Sequence, residues 1–288
     1  GMTEKIGIVV DSTADFPPGM VEALGLHVVP IHIVIDGTDY LHGVTIENDS
    51  VIAAMREDRE VHTSPPIPSE YTDFLEKLLD RYDRLLSFHV SQELSNCYTS
   101  VKGAIQLMFD DAADRVIPID TRTCTAGQAL IVKRTAEMLQ RGLALENVLH
   151  ELDFFKSNSS LYFTVDNLYW LKRAGKLNFF SSILGGVLDI KPVIGLRKGR
   201  LVPLTKHRGH DAALASVAEL AHDDYRRHRG ECEIWIAHAA AEDKRDRLLT
   251  LLEREMPAAV DGIQTVEVGP TITAHAGPGC IALSVMPT

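Results

Sequence analysis

Cysteine is scarce in this chain of 288 residues, and its few copies lie far apart. No C-x-x-C pair occurs, so the chain has neither the spacing of a zinc site nor that of a disulfide framework. The histidines are scattered too, without an H-E-x-x-H sequence. We therefore expect reduced thiols, no metal site and no cofactor. The cysteines are Cys97, Cys124, Cys232 and Cys280.

Basic and aromatic residues are also in short supply. Lys and Arg number 29 against 40 Asp and Glu, which gives a net charge of −11, and aromatic residues make up 6% of the chain. Nucleic acids and anionic membrane surfaces are bound by clustered basic side chains. No apolar run reaches the roughly 18 residues that a bilayer crossing needs, and no secretion signal is visible. These absences predict a cytoplasmic protein with no nucleic-acid partner and no membrane span.

Hydrophobic residues make up 45% of the chain, enough for a sizeable core. In the first half, short apolar runs alternate with amphipathic stretches, which is typical of βαβ units. Strands are predicted at residues 6–10, 27–35, 85–90 and 115–119, and Pro30 places the second of them at a sheet edge or a bulge. Helices are predicted from Ser69 as the N-cap, around residues 98–108, and at 126–140. A mostly parallel sheet with helices on both faces follows.

The second half shows a different pattern. Residues 193–196 and 201–204 flank a turn that contains Gly199, which predicts a β-hairpin. Further strands and helices alternate up to a last strand at residues 281–285. We therefore expect two domains: an N-terminal three-layer α/β/α domain at residues 2–155 with a mostly parallel sheet, and a C-terminal α+β domain at residues 156–288 with a mixed or antiparallel sheet.

Polar clusters follow several predicted strands of the first half. They occur at residues 11–13, 91–95 and 120–121. Ligands of open α/β sheets collect outside the carboxyl ends of the strands, although Ser, Thr and Asp also cap helices in such places. Ser95 is predicted to open the helix that carries Tyr98, where free N–H groups favour an anion.

Two other segments offer groups for an anion. Thr63 and Ser64 precede two prolines, which stiffen the loop. His275 begins a glycine-rich segment in which backbone N–H groups can converge and the imidazole can donate a hydrogen bond. A connecting loop and an ordinary Gly-Pro turn are the alternatives. Arg173 and Lys176 bring positive charge to the end of a helix. The alternative to ligand binding is that these cations only interact favourably with the helix dipole.

An enzyme remains the alternative to a binding protein. The chain lacks a G-x-S-x-G elbow, a Walker A loop and a G-x-G-x-x-G sequence after the first strand. A phosphotransferase or hydrolase acting on a lipid or small phosphate ester would use Asp11, Ser12 and Asp120 to hold phosphate. A regulatory module with a purely structural lipid is a third possibility.

Taken together, these segments resemble the DegV family of bacterial fatty-acid-binding proteins over nearly the whole chain. Two departures stand out: Asn96-Cys97 replaces the family's usual Gly-Thr, and Lys176 ends a segment that is usually Gly-Gly-Arg. The landmarks, in the family's order, are residues 10–15, 63–66, 91–95, 171–176, 189–193, 206–208 and 275–279.

The resemblance implies that the protein binds a long-chain fatty acid between its domains and is not itself an enzyme. The tail would lie in an apolar tunnel. A separate fatty-acid kinase, docking near Arg208, would receive the acyl carboxylate for phospholipid synthesis. The predicted carboxylate contacts are Thr63, Ser64, Ser95 and His275, with Asn96, Gly277, Lys176 and Arg173 as further ligand-binding residues. Candidates for the tunnel wall, although core packing is the favoured role for any one of them, are Phe163, Phe179, Phe180, Ile183 and Leu184.

Overall fold

A computed structural model describes residues 4–177 and 190–288 of the chain. Within these ranges the strands form a four-stranded, a three-stranded and a six-stranded sheet. The predicted fold class is confirmed, with a parallel sheet in the first half and a mixed sheet in the second.

The described elements are numbered along the chain. The strands are β1 (Ile6–Asp11), β2 (Leu26–Val29), β3 (His32–Ile35), β4 (Thr38–Leu41), β5 (Val61–Ser64), β6 (Arg84–His89), β7 (Val116–Asp120), β8 (Ser160–Thr164), β9 (Ile190–Arg197), β10 (Arg200–Arg208), β11 (Cys232–His238), β12 (Gln264–Glu267) and β13 (Ile281–Pro287). The helices are α1 (Met20–Ala23), α2 (Asn48–Arg56), α3 (Pro68–Leu79), α4 (Cys97–Leu107), α5 (Asp110–Ala113), α6 (Thr125–Gln140), α7 (Leu145–Asn158), α8 (Tyr169–Arg173), α9 (His210–Arg227), α10 (Glu242–Glu255) and α11 (Pro270–Ala276).

The four-stranded sheet is parallel, in the order β2-β1-β6-β7. Successive side chains of a strand point to opposite faces, so a strand covered on both sides must be apolar throughout. In β1, Val9 packs with the helices α3 and α4 on one face, whereas Ile8 and Val10 pack with α6 on the other. Helices on both faces give the predicted three layers.

The chain leaves this sheet at Pro30, so the prediction of one strand over residues 27–35 is wrong. β2 ends at Val29 and pairs with β1, while β3 begins at His32 and pairs antiparallel with β4 and β5. Proline has no N–H to donate to a strand ladder. The N–H of the following Ile31 is bound by the Ser12 hydroxyl at 2.9 Å, and this bond helps to hold the turn between the two sheets.

The start of α3 also differs from the prediction that Ser69 is its N-cap. The helix begins at Pro68, and the Glu70 carboxylate accepts a hydrogen bond from the Ile67 N–H at 3.2 Å. Proline suits the first turn of a helix because its missing N–H would have no partner inside the helix. Ser69 therefore lies inside the helix.

The six-stranded sheet has the order β10-β9-β8-β13-β11-β12 and is antiparallel except for the parallel pair β11-β12. The predicted hairpin is β9-β10, and its turn residues Lys198 and Gly199 both have positive φ, as this two-residue turn requires. The predicted domain boundary after residue 155 falls inside α7, which ends at Asn158.

Candidate functional site

An apolar cavity of about 80 Å³ lies at the carboxyl edge of the parallel sheet. The segments after β1 and β6 and the start of α6 supply one wall, and β8, β10, α11 and β13 supply the other. The carboxyl ends of parallel strands are the usual position for a ligand in such a sheet. Its apolar lining includes Ile31, Val90, Leu94, Leu161, Phe163, Leu171, Leu201, Val268, Ile272 and Ala282.

Three predicted site residues line this cavity: Ser95, Lys176 and His275. The Lys176 ammonium donates a hydrogen bond to the Leu94 carbonyl oxygen at 2.6 Å, next to Ser95 in the chain. Burial lowers the pKa of Lys176. Burial, and secondarily the Lys176 charge, lower the pKa of His275 to about 4. At neutral pH the site therefore holds one ammonium group and one neutral imidazole.

Thr63 reaches the site through His275. Its hydroxyl and the Nε2 atom of His275 form a hydrogen bond of 2.7 Å. The other ring nitrogen, Nδ1, is buried and has no hydrogen-bond partner in the part of the chain that the structure describes. A buried polar atom without a partner is costly. His275 Nδ1 is therefore the atom of this ring that a polar ligand can satisfy.

Ser95 lies just before α4 and not inside it, so the prediction that Ser95 opens the helix is wrong by two residues. The helix begins at Cys97, and Asn96 is its N-cap. The turn is closed by a hydrogen bond from the Ser95 N–H to the Ser91 carbonyl oxygen at 3.1 Å. The Ser95 hydroxyl lies 3.4 Å from the Cys97 sulfur. This turn holds the hydroxyl at the cavity wall, ahead of the helix.

The remaining predicted ligand-binding residues are not among those that line the cavity. Ser64 and Asn96 are exposed. Gly277 follows α11 with a φ of +85°, and a Cβ there would overlap the Trp170 indole. Arg173 stacks over Trp170 at 4.8 Å and donates a hydrogen bond to the Arg59 carbonyl oxygen at 3.1 Å. Their contacts with a ligand stay predictions.

One tunnel-wall candidate can be placed. Phe163 in β8 lines the cavity. The other candidates, Phe179, Phe180, Ile183 and Leu184, lie outside the described residues, as does Asp189.

Asp11, a predicted phosphate-holding residue of the enzymatic alternative, is completely buried. Its carboxylate accepts hydrogen bonds from the Val90 N–H at 2.7 Å and from Gln128 Nε2 at 3.2 Å, and lies 3.2 Å from His89 Nδ1. Burial opposes ionisation, but these contacts with His89, Thr13 and Val90 outweigh it and lower the pKa of Asp11. The carboxylate is fully engaged in holding the strand ends together.

A second buried carboxyl group, Asp15, connects the two halves of the chain. It accepts hydrogen bonds from the Thr125 hydroxyl at 2.6 Å and from the Gly269 N–H at 2.9 Å, just before α11. Burial outweighs these bonds and raises the pKa of Asp15 to about 7. Nearby, His42 Nδ1 lies 2.8 Å from the Thr271 hydroxyl, and burial lowers the pKa of His42 to about 4.

Sequence reasoning missed the helix α11, which carries His275. The sequence predicts only a glycine-rich segment at residues 275–279 between the last two strands, and the β-branched residues Thr271, Ile272 and Thr273 have low helix propensity. The signal that could have revealed the helix is Pro270 at its first position. The helix presents Thr271, Ile272, His275 and Ala276 to the cavity together.

Two classes of site find no support in the described ranges. No group of three His, Cys, Asp or Glu side chains within residues 4–177 and 190–288 is arranged to hold a metal ion. No helix described by the structure combines the length and apolarity needed to pass through a bilayer.

Comparison with known proteins identifies relatives over nearly the whole length. The sequence model of the DegV family, which is described as a family of uncharacterised proteins, matches residues 5–288. A DegV domain-containing protein of Deinococcus radiodurans is 31% identical over 284 residues, which cover 98% of this chain and 99% of the relative.

Two solved structures have the same fold. A DegV family protein of Thermus thermophilus, described as binding fatty acid, is 28% identical with a TM-score of 0.89, covering 99% of this chain and 100% of the other. A stearic acid-binding protein of Eubacterium ventriosum is 25% identical with a TM-score of 0.91, and 98% of each chain is covered.

Proposed function

The chain belongs to the DegV family, and on that premise we propose that it binds a long-chain fatty acid, with the tail in the apolar cavity and the carboxylate beside Ser95, Lys176 and His275. The proposal rests on one observation above all: a cavity with mostly apolar walls is also lined by Ser95, Lys176 and His275, and the Lys176 ammonium lies 2.6 Å from the Leu94 carbonyl oxygen, next to Ser95 in the chain. The fatty-acid binding described for the Thermus thermophilus and Eubacterium ventriosum relatives supports it.

The polar groups suit a carboxylate. An ionised carboxylate taken out of water is stable only when hydrogen bonds or opposite charge replace its hydration. The Ser95 hydroxyl and the Lys176 ammonium can each donate to one oxygen, and His275 Nδ1 lacks a partner in the described ranges. The predicted contacts with Ser64, Asn96, Gly277 and Arg173 would add to this set, whereas Thr63 would act through its hydrogen bond to His275.

The apolar walls suit the tail. Each buried CH₂ contributes about 0.8 kcal/mol, so a long acyl chain gains on the order of 10 kcal/mol before its ordering is subtracted. Affinity therefore comes mainly from the tail, and the polar groups decide its orientation. A free fatty acid would bind with its carboxylate towards Ser95.

The test is a titration of fatty acid into folded variants. Ser95→Ala and His275→Ala should each weaken palmitate or oleate binding about tenfold, because each removes a hydrogen bond to a charged group. Ser69→Ala and His62→Ala are matched controls, since both residues are exposed. Unchanged affinity in the two site variants, with intact folding, would rule out this head-group site.

We further propose a carrier role in the cytoplasm. The protein would present the bound carboxylate to a separate ATP-dependent fatty-acid kinase, whose acyl phosphate feeds phospholipid synthesis. Arg208, the predicted docking residue, is exposed at the end of β10, an outer strand of the described six-stranded sheet. Arg208→Glu should slow acyl phosphate formation by such a kinase and leave fatty-acid affinity unchanged, whereas Arg141→Glu, exposed after α6, should change neither.

The purified protein also tests the alternative function, that of a phosphotransferase or hydrolase. The engagement of Asp11 in internal hydrogen bonds favours binding over catalysis by that residue. We expect no turnover of p-nitrophenyl palmitate or p-nitrophenyl phosphate by the protein alone. Turnover that is lost in Asp120→Asn would favour a hydrolase instead.

A further inference from the structure

A second cleft, with a volume of about 490 Å³, lies beside the fatty-acid cavity. It is bordered by the β7-α6 connection, the α7-β8 connection and the β9-β10 turn, and Leu161 contributes to both the cleft and the cavity. Four cationic side chains line it, although the chain as a whole has a net charge of −11. They are Arg122, Lys156, Arg197 and Lys198.

These four cations, which we call the basic cluster, lack acidic partners. Within residues 4–177 and 190–288, none of them has a carboxylate within the 4.0 Å of an ion pair. Arg200 at the same turn does pair with Glu93, at 3.3 Å. An acidic side chain is therefore available beside the turn, but it pairs with Arg200 and not with the basic cluster.

Within the basic cluster, Arg122 and Lys156 repel each other. The pKa of Lys156 is lowered, first by partial burial and second by the charge of Arg122. The carboxylates of Asp120 and Asp153 raise it, but by less. Asp120 is buried and accepts hydrogen bonds at its Oδ1 atom from the N–H groups of Gln92 and Arg122. An anion between Arg122 and Lys156 would relieve their repulsion and gain two charge-assisted hydrogen bonds.

The two parts of the basic cluster are held together by the fold itself. The Ser91 hydroxyl donates a hydrogen bond of 2.7 Å to the Gly199 carbonyl oxygen, which ties the β9-β10 turn to the end of β6. A Cβ at Gly199 would lie only 3.5 Å from the Arg122 Cα. Arg197 and Lys198 therefore start from a backbone that is fixed against that of Arg122. Cations positioned before a ligand arrives reduce the ordering cost of binding.

The rest of the lining indicates the chemical class of the ligand. Hydroxyl groups are frequent, and the Ser159 hydroxyl is buried with no hydrogen-bond partner in the described ranges. No aromatic ring belongs to the described lining, so a nucleobase would have none to stack on. The hydroxyl residues are Thr121, Thr123, Ser157, Ser159 and Ser160.

We propose that this cleft binds a soluble anion that carries two or more phosphate groups. Phosphate oxygens accept hydrogen bonds from guanidinium, ammonium and hydroxyl groups alike. The volume of the cleft matches a small-molecule site. A concave cleft also suits a soluble ligand better than a flat lipid surface.

The test is calorimetric titration of inorganic pyrophosphate into the purified full chain at constant ionic strength. Arg122→Gln and Lys156→Gln should each weaken binding about tenfold, because each removes a hydrogen bond to a charged group. The double variant Arg197→Gln/Lys198→Gln should do the same, and its exposed positions leave the core untouched. Arg141→Gln removes an equal charge outside the cleft and should bind as the parent does.

Either of two results would overturn the proposal. One is the absence of a phosphate site in the cleft, seen either as no pyrophosphate binding by the parent at millimolar concentration or as equal affinity in the parent and the three folded cleft variants. The other is binding to vesicles of phosphatidylglycerol and phosphatidylcholine, lost in the cleft variants, when pyrophosphate does not bind. The second result would assign the basic cluster to a lipid surface.

Discussion

The Thr63 hydroxyl and His275 Nε2 are 2.7 Å apart, although 212 positions separate the two residues in the chain. Thr63 belongs to β5 and His275 to α11, so one hydrogen bond joins the three-stranded sheet to the helix before the last strand. With a pKa of about 4, His275 is neutral at pH 7, and a neutral imidazole has a single N–H. When Thr63 donates to Nε2, that N–H lies on Nδ1, where it is free to bind a carboxylate.

Thr63→Val should therefore weaken fatty-acid binding without removing any ligand contact of His275 itself. We expect a loss of about fivefold, the effect of roughly 1 kcal/mol, and Thr63→Ser should restore the parent affinity. Nitrogen-15 shifts of the His275 ring distinguish the two tautomers. An unchanged tautomer in a weakened Thr63→Val variant would contradict a positioning role.

Lys176 supplies the positive charge of the proposed head-group site. Lys176→Gln should weaken fatty-acid binding about tenfold, because a charge-assisted hydrogen bond is lost, and Lys176→Arg should retain most of the affinity. Lys172→Gln is the matched control, since Lys172 is exposed on α8. Equal affinity for Lys176→Gln and Lys172→Gln would place the carboxylate elsewhere.

Ala282 offers a test of the tail's position. It is buried in β13, lies opposite Phe163 in β8 and lines the cavity. Ala282→Leu adds three carbon atoms to the wall of the cavity, so it should shift preference towards shorter fatty acids. The measurement compares binding of C14, C16 and C18 acids, with Ala53→Leu on the exposed side of α2 as control. An unchanged order of preference would show that the tail lies away from β13.

Asp15 predicts a pH dependence of stability. Its pKa is about 7 in the folded protein against an ordinary 3.8, so the folded state binds the proton more tightly than the unfolded state. The resulting stabilisation is present in acid and is lost as the pH rises towards 7. From pH 5 to pH 8 the protein should lose about 2 to 3 kcal/mol through this group.

Asp15→Asn isolates that contribution. His42 and His275, whose pKa values are lowered to about 4, have the opposite pH dependence, but they are present in both proteins and cancel in the difference. The free energy of unfolding of Asp15→Asn relative to the parent should rise between pH 5 and pH 8. Asp261→Asn, at an exposed position, should show no such change, and a flat difference for Asp15→Asn would contradict the raised pKa.

The sequence was sufficient for features that depend on local pattern. The alternation of apolar runs and amphipathic stretches predicted the parallel sheet, and Gly199 predicted the β9-β10 hairpin. Ser95, Lys176 and His275 were also predicted as site residues. The prediction of Lys176, and of the side chains that contact the carboxylate, came mainly from the family resemblance.

Features that depend on distant contacts could not be predicted. Pro30 signalled an irregular strand, but the transfer of the chain to another sheet depends on pairing with β4 and β5. The sequence gives no sign of the raised pKa of Asp15, which results from burial; one of its hydrogen-bond donors, Gly269, is 254 positions away. The basic cluster joins residues from three connections that only the folded chain brings together.

Native mass spectrometry of the freshly purified protein, followed by extraction and identification of what it carries, tests the central claim most directly. We predict one fatty acid per chain, or the appearance of that mass when palmitate or oleate is added, with less occupancy in Ser95→Ala and His275→Ala. A protein that carries no fatty acid and takes up none when it is added would contradict the proposed function.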